Sequence, residues 1–438
     1  MKKFLLSILL VTFLIKIGLS QDIDKVRLDS YFKALETNNK FMGSVAISKN
    51  GQIIYTNQVG YADVENKKRP DANTKYRIGS ISKTFTSVLI FKAIEAKKIS
   101  LVDKLSQYFP EIENATDITI ENLLHHRSGI HSFTSDEAYG TLMIQSVSRK
   151  ELLSVVIKAG SDFKPDSKAE YSNSNFVILS MILEKIYKKD YSELLNELII
   201  KTIKLQHTSY GKQININENE AYSYYYEKSW IKSLETDMSV PLGAGGIVST
   251  PSDLVSFSNA LFGGKLVSTH SLQLMMTIQD GFGMGLFKVP FNDKVGYGHD
   301  GRIDEFSSVF YHFDEQNVSV ALISNGENID NNPIAIVLIS AAYHLPYEIP
   351  TFKEIKLTTE DLDKYLGVYS SKEFPLKVTI TKNDNILMAQ ATGQSAFELE
   401  VTNINEFSFE RAGIKLTFDP AEQTMILTQG KQYKFIKD

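Results

Sequence analysis

Near residue 352 the period of the apolar pattern changes, and with it what the chain can become. Downstream, Leu376, Val378 and Ile380 alternate with Lys377, Thr379 and Thr381; Phe397, Leu399 and Val401 repeat the alternation, and so do Ile414, Leu416 and Phe418. Side chains at every second position share one face of a strand, so each run predicts a strand buried on one side only. Short strands of this kind, separated by Asn, Asp and Gly turns, predict a small all-β barrel or sandwich over residues 351–438. Upstream the pattern is mixed. A boundary therefore falls near Pro350, in keeping with 438 residues being too many for one simple core.

In the upstream part, residues 23–38 read as a polar, helix-prone segment. The stretch FMGSVAISKNGQIIYTNQV then alternates on both sides of Asn50-Gly51, a strong hairpin signal. Apolar helices are predicted from Ser80 and from about Asn175, and a further helix from about residue 250, with Ser, Thr and Asp at its start and Gly263-Gly264 at its end. Strand-like runs SSVFYHF and VSVALISN follow. Helices lying between an N-terminal hairpin and C-terminal strands predict one sheet assembled from both ends of the segment. No repeat of solenoid length is present.

The first twenty residues, MKKFLLSILLVTFLIKIGLS, have the layout of a secretory leader, with two lysines, an apolar run, and small residues at Gly18 and Ser20. A membrane anchor is the alternative, although Lys16 leaves the run short for a span. The expectation is an exported protein, periplasmic or secreted, with no stable membrane insertion once the leader is removed. The formal charge of −5 becomes −8 without the three leader lysines, and no basic block occurs, which argues against nucleic acid as a partner. The chain has no cysteine, so disulfides and thiol nucleophiles are excluded.

One charge is out of keeping with its surroundings. From Ile81 to Phe91 the chain is almost wholly apolar or hydroxylic, yet Lys83 stands in the first turn, three residues after Ser80. Positions three apart share a helix face. A lysine beside the positive end of the helix dipole, in apolar surroundings, has its pKa lowered by both. A partly neutral amine can take the proton of a serine hydroxyl and make it a nucleophile. Ser-x-x-Lys alone is weak evidence, since it also occurs at Ser30, Ser161, Ser209 and Ser229. Only Ser80 opens a core-like helix, with Gly79 before it to relax the turn. The bland alternative is a helix-capping serine with a lysine that reaches outward.

Two later motifs bear on that choice. Tyr171-Ser172-Asn173 precedes the second apolar helix, and Gly298-His299-Asp300-Gly301 precedes the strand SSVFYHF. Together with Ser80 and Lys83, in this order, they resemble the serine β-lactamase and penicillin-binding protein superfamily, in its class C β-lactamase, DD-peptidase and esterase branch. The stretches LLHHRSGI, GAGGIVSTPSDLVSF and GFGMGLF carry the same resemblance, which spans roughly residues 24–345. It implies an α+β fold: an antiparallel sheet flanked by helices, with a helical subdomain. The segment beginning LDKYLGVYSS is similar to the small lipocalin-like β domain often appended to this family.

The resemblance also implies roles. Ser80 Oγ would attack a carbonyl, Lys83 and Tyr171 would share base and acid duty, and Tyr171 would be a phenolate or a phenol polarised by the ammonium. Asn173 would hydrogen-bond the substrate. His299 would orient Tyr171 or meet a substrate carboxylate. Past Gly301, the N–H groups of Ser80 and Arg302 would form the oxyanion hole. Copies of the letters elsewhere, Tyr55-Thr56-Asn57 and Lys294-Val295-Gly296, compete with Tyr171 and His299, but the first precedes the serine and His299 directly abuts the strand expected to border the site. His125-His126 lack the spacing of a metal site and read as structural histidines near the site.

His in the third motif, where β-lactamases have Lys, leans toward peptidase or esterase relatives. Arg302 and Glu305 stand where the family commonly has glycines, and would narrow the cleft or select a charged substrate. The expectation is therefore an exported serine hydrolase acting through a seryl ester on a small ester, amide or D-amino-acid peptide, with no metal or organic cofactor. The alternative is a catalytically silent binding or sensor protein on the same fold. An α/β-hydrolase is disfavoured by the lack of a Gly-x-Ser-x-Gly elbow. The tyrosine-rich YSYYYEKSW reads either as lining for a bulky acyl group or as a hairpin packing its aromatics on the domain.

Overall fold

The computed structural model describes residues 23–352, 355–409 and 412–438, so the predicted leader lies outside the described residues. Asn50 and Gly51, both at positive φ (53° and 76°), close the predicted hairpin between Phe41–Lys49 and Gln52–Val59. Its first strand pairs antiparallel with Val318–Glu327, from the far end of the segment. The sheet then continues through Phe306–Phe313 and Lys294–Ile303 to Phe287–Phe291. The sheet is thus built from both ends of the segment, as the order of helices and strands predicts.

Both faces of the central strands are covered, which is why their sequence is nearly continuously apolar. Val318, Val320 and Leu322 face one layer, where they meet Leu28, Phe32 and Leu35 of the helix Lys25–Thr37 and Ile334 and Leu338 of the helix Asn331–Ala342. Ala321 and Ile323 face the other layer, with Phe306 and Phe310. That layer holds the nucleophile helix Ser82–Glu95 and the helix Pro251–Phe262, joined by Phe85 stacked on Phe257 at 3.7 Å. Beyond it lies the helical part, including the second apolar helix, Asn173–Tyr187.

The hydroxyls of the nucleophile helix explain its apolar-or-hydroxylic composition. Ser82 Oγ accepts from Ile247 N, Thr84 Oγ1 donates to Gly285 O and Thr86 Oγ1 donates to Gly243 O, at 2.7–3.2 Å. Buried hydroxyls here satisfy loop backbone that would otherwise lack partners. They tie the segments 243–247 and 285 to the start of the helix.

Residues 367–437 form a closed eight-stranded barrel with strands paired in chain order, the first, Gly367–Ser370, meeting the last, Lys431–Lys437. Val378, Ile380, Leu399, Leu416 and Phe418 point into its core, on the face the alternation assigns them. The tyrosine-rich stretch forms a hairpin, Tyr224–Glu227 with Ser229–Lys232, Trp230 lying edge-on to Tyr226 at 5.0 Å. No described helix is long and apolar enough to cross a membrane.

Candidate active site

The chain enters the site through the short strand Tyr76–Arg77, which pairs with Ile247–Ser249. Gly79, at φ +49°, turns it into the 3-10 turn Gly79–Ile81 that runs into the nucleophile helix. Ser80 lies in that turn and lines a cleft of about 340 Å³ with Phe133, Thr134, Asn173, Ala244 and Arg302. Lys83 is one turn along on the same face and is wholly buried.

Lys83 Nζ lies 3.0 Å from Ser80 Oγ, 2.7 Å from Asn173 Oδ1 and 2.8 Å from Ala244 O. Burial drives its pKa well below 10.5, against a small opposing pull from Asp300. A neutral amine has two N–H groups and one lone pair. Ala244 O and Asn173 Oδ1 can only accept, so they take the two N–H groups and leave the lone pair to the Ser80 hydroxyl proton. The Asn173 amide is set by its own Nδ2 donating to Thr134 Oγ1 at 2.9 Å. Asn173 thus holds Lys83 through Oδ1 and Thr134 through one Nδ2–H, and it lines the cleft with its second Nδ2–H uncommitted.

Tyr171 Oη donates to Ser80 Oγ at 2.8 Å. Burial raises its pKa, the Ser80 hydrogen bond opposes this and Asp300 adds to it. Of the two forms expected for Tyr171, the raised pKa favours the phenol over the phenolate, and the lone pair facing Ser80 is that of Lys83.

The imidazole packed against Tyr171, tilted by 31° with ring centroids 4.5 Å apart, is that of His126 and not that of His299. His126 is at φ +57° and accepts from Ser172 N through Nδ1 at 3.1 Å. Burial lowers its pKa well below the ordinary histidine value. His125 points elsewhere, with Nδ1 3.1 Å from Phe282 O. His299 is buried against Phe287, its Nδ1–H donating to Asp300 O at 2.5 Å, and burial lowers its pKa to about 4. Its hydrogen bond goes to Asp300 O and not to Tyr171, so of the two expected roles the geometry gives no support to the orienting one.

The strand Lys294–Ile303 turns back to Phe306–Phe313 through two residues, with Ile303 opposite Phe306 and Arg302 opposite Ser307. The pair closing a two-residue hairpin is hydrogen-bonded and pairs alternate, so Arg302 and Ser307 form an open pair. The Arg302 N–H accordingly points off the strand edge, toward Gly79–Ile81. Ser80 N–H belongs to the first helical turn, which has no intrahelical acceptor for it. The close approach demands glycine twice. A Cβ on Gly301 would lie 2.2 Å from Ile78 O and 2.9 Å from Ser80 N, and one on Gly79 would lie 2.8 Å from Arg302 N.

The structure therefore brings Ser80, Lys83, Tyr171, Asn173, Gly301 and Arg302 together, with His299 buried nearby, within electrostatic reach of Lys83. The sequence does not reveal the Ala244 carbonyl or Thr134 as contacts, and it places His126 near the site without showing that it packs on Tyr171. Ala244 lies in the GAGGIVST stretch and His126 in LLHHRSGI, so each was flagged as a stretch but not as a contact.

A family model described as Beta-lactamase matches residues 28–342. Teichoic acid D-alanine hydrolase of Staphylococcus aureus is 26% identical over 316 residues, covering 70% of this chain and 76% of the relative. The crystal structure of a D-stereospecific amidohydrolase from Streptomyces superposes with a TM-score of 0.60 at 26% identity, over 68% of this chain and 94% of that one. The octameric penicillin-binding protein homologue from Pyrococcus abyssi shares the fold over 95% of this chain and all of its own, with a TM-score of 0.67 at 22% identity.

Proposed function

Because the chain belongs to the beta-lactamase family, we propose that it is an exported serine hydrolase that cleaves D-aminoacyl esters or amides through an acyl-enzyme on Ser80. The observation that carries the reading is one serine oxygen with a buried amine at 3.0 Å and a phenol at 2.8 Å, at the edge of a cleft. The D-aminoacyl class is supported by two relatives at 26% identity, one named a D-alanine hydrolase and the other a D-stereospecific amidohydrolase. Export is supported by the leader-like N-terminus and by a relative named for a teichoic acid substrate.

The geometry supports the following sequence. Ser80 Oγ bonds to the substrate carbonyl carbon as its proton passes to the Lys83 lone pair. The carbonyl oxygen gains the electron pair and is met by the N–H groups of Ser80 and Arg302; loss of one such donor typically costs about 3 kcal/mol in the barrier. As the tetrahedral centre collapses, the leaving group takes a proton from Tyr171, which recovers one from Lys83. Water then attacks the seryl ester, Lys83 accepts its proton, and the acid is released with Ser80 restored.

The test is a side-by-side assay of D- and L-alanyl esters, D-alanyl amides, D-Ala-D-Ala peptides and nitrocefin. Wild type is expected to prefer the D-alanyl compounds and Ser80→Ala to be inactive on all of them. Turnover that survives in Ser80→Ala, or a wild type that folds and binds but turns over none of the panel, would reject the proposal and in the second case favour a binding protein.

A further inference from the structure

Arg302 lines the cleft beside Ser80, and its backbone N lies against the turn that carries the serine. Its side chain is 68% exposed, and among the described residues its acidic partner is Glu327, at the end of Val318–Glu327, with Nη1 2.8 Å from Oε1. That contact uses one N–H of a five-donor fork and one oxygen of the carboxylate. The other oxygen, Oε2, is buried without a hydrogen-bond partner. Guanidinium and an oxyanion bind best as two parallel hydrogen bonds, so this pair is half made on both sides. An ion pair this exposed on the arginine side adds little to stability, typically 0–1 kcal/mol. Burial also pushes the Glu327 carboxyl up to about 6, against the pulls of Arg302 and Ser307.

We infer that Arg302 is a specificity-determining residue that recognises an anionic leaving group, phosphate or carboxylate, and that Glu327 holds its guanidinium in place until such a substrate displaces it. The inference rests on the D-aminoacyl reading above. The acyl half of such a substrate carries an ammonium, which Arg302 repels, so the recognised anion belongs to the leaving group. A neutral alcohol in that position forgoes the contact.

The experiment compares three D-alanyl esters that share one acyl group: methyl, glycerol 1-phosphate and D-lactate. The quantity read is the ratio of kcat/KM for each anionic ester to that for the methyl ester, which cancels any general loss from disturbing the Arg302 backbone and any difference in active fraction. Arg302→Gln is expected to lower the ratio at least tenfold, Arg302→Lys to restore part of it, and Glu327→Gln to raise it. A fall for the phosphate alone assigns the leaving group to the phosphate class, and a fall for the lactate alone to the carboxylate class. Ratios that do not move in Arg302→Gln overturn the inference. If wild type hydrolyses none of the esters, the hydrolase reading fails separately, and an NMR titration of Ser80→Ala with glycerol 1-phosphate and with D-lactate decides the recognition claim. Binding weakened at least tenfold by adding Arg302→Gln supports the claim, and binding that is absent or unchanged rejects it.

Discussion

A lysine kept from water beside a serine is the residue on which the proposed chemistry turns. Lys83 is wholly buried, and burial lowers its pKa well below 10.5. The neutral amine is the active form, so the rate of Ser80 acylation is predicted to rise with pH through a midpoint well under 10.5, and to be lost as pH falls through it. Stability carries the same sign. Between the folded pKa and the unfolded value near 10.4, the unfolded chain binds more protons, so stability rises with pH in that window. Lys83→Met removes this part of the slope, measurable by urea unfolding across a pH series, and is predicted to lower kcat by about 10²–10⁴-fold. Ser80 and Lys83 were legible because a helix puts positions three apart on one face. Asn173 was legible as a site residue but not in its contacts, because a sequence does not say where an amide's two ends go. Nor does it show that His126, rather than His299, packs against Tyr171: both histidines are buried, and tertiary packing alone chooses which ring meets it.

At the scale of elements, two backbone segments must touch for the oxyanion hole to exist. The hairpin register places Arg302 N–H on the free edge, and Gly79 and Gly301 let the 3-10 turn close against it. Gly301→Ala would set a methyl against the Ile78 carbonyl and Ser80 N, both backbone and unable to swing away. The expected outcome is a loss of about 10²-fold or more in kcat with a lowered Tm, read by steady-state kinetics and calorimetry. The alternation in VSVALISN, the Asn50-Gly51 turn and the barrel strands were readable as element types because their periods differ from that of a helix. The tyrosine-rich stretch was not decidable between groove and hairpin, since aromatic content serves both. The structure forms the hairpin, pairing Tyr225 with Ile231 and Tyr226 with Trp230.

Over the whole molecule, the described residues hold separate apolar cores. Phe352 packs on the cluster beneath the sheet and Leu357 on the barrel's cluster. Between the barrel and the rest, the described ion pairs are Lys40 with Glu400 at 2.9 Å and Lys228 with Glu398 at 3.3 Å, and all but Lys40 are substantially exposed. Such pairs are worth about 0–1 kcal/mol each, so a Lys40–Glu400 double-mutant cycle is predicted to fall within that range. A chain ended after residue 356 is predicted to fold and to keep its Ser80 reactivity, which a melting curve and active-serine titration check together. The proposed activity of the whole rests on the serine itself. Incubating the protein with a fluorophosphonate and mapping the adduct by peptide mass spectrometry tests this most directly. The account predicts a single adduct on Ser80, absent in Ser80→Ala and formed far more slowly in Lys83→Met. An unlabelled Ser80, or labelling in Lys83→Met as fast as in wild type, would contradict it.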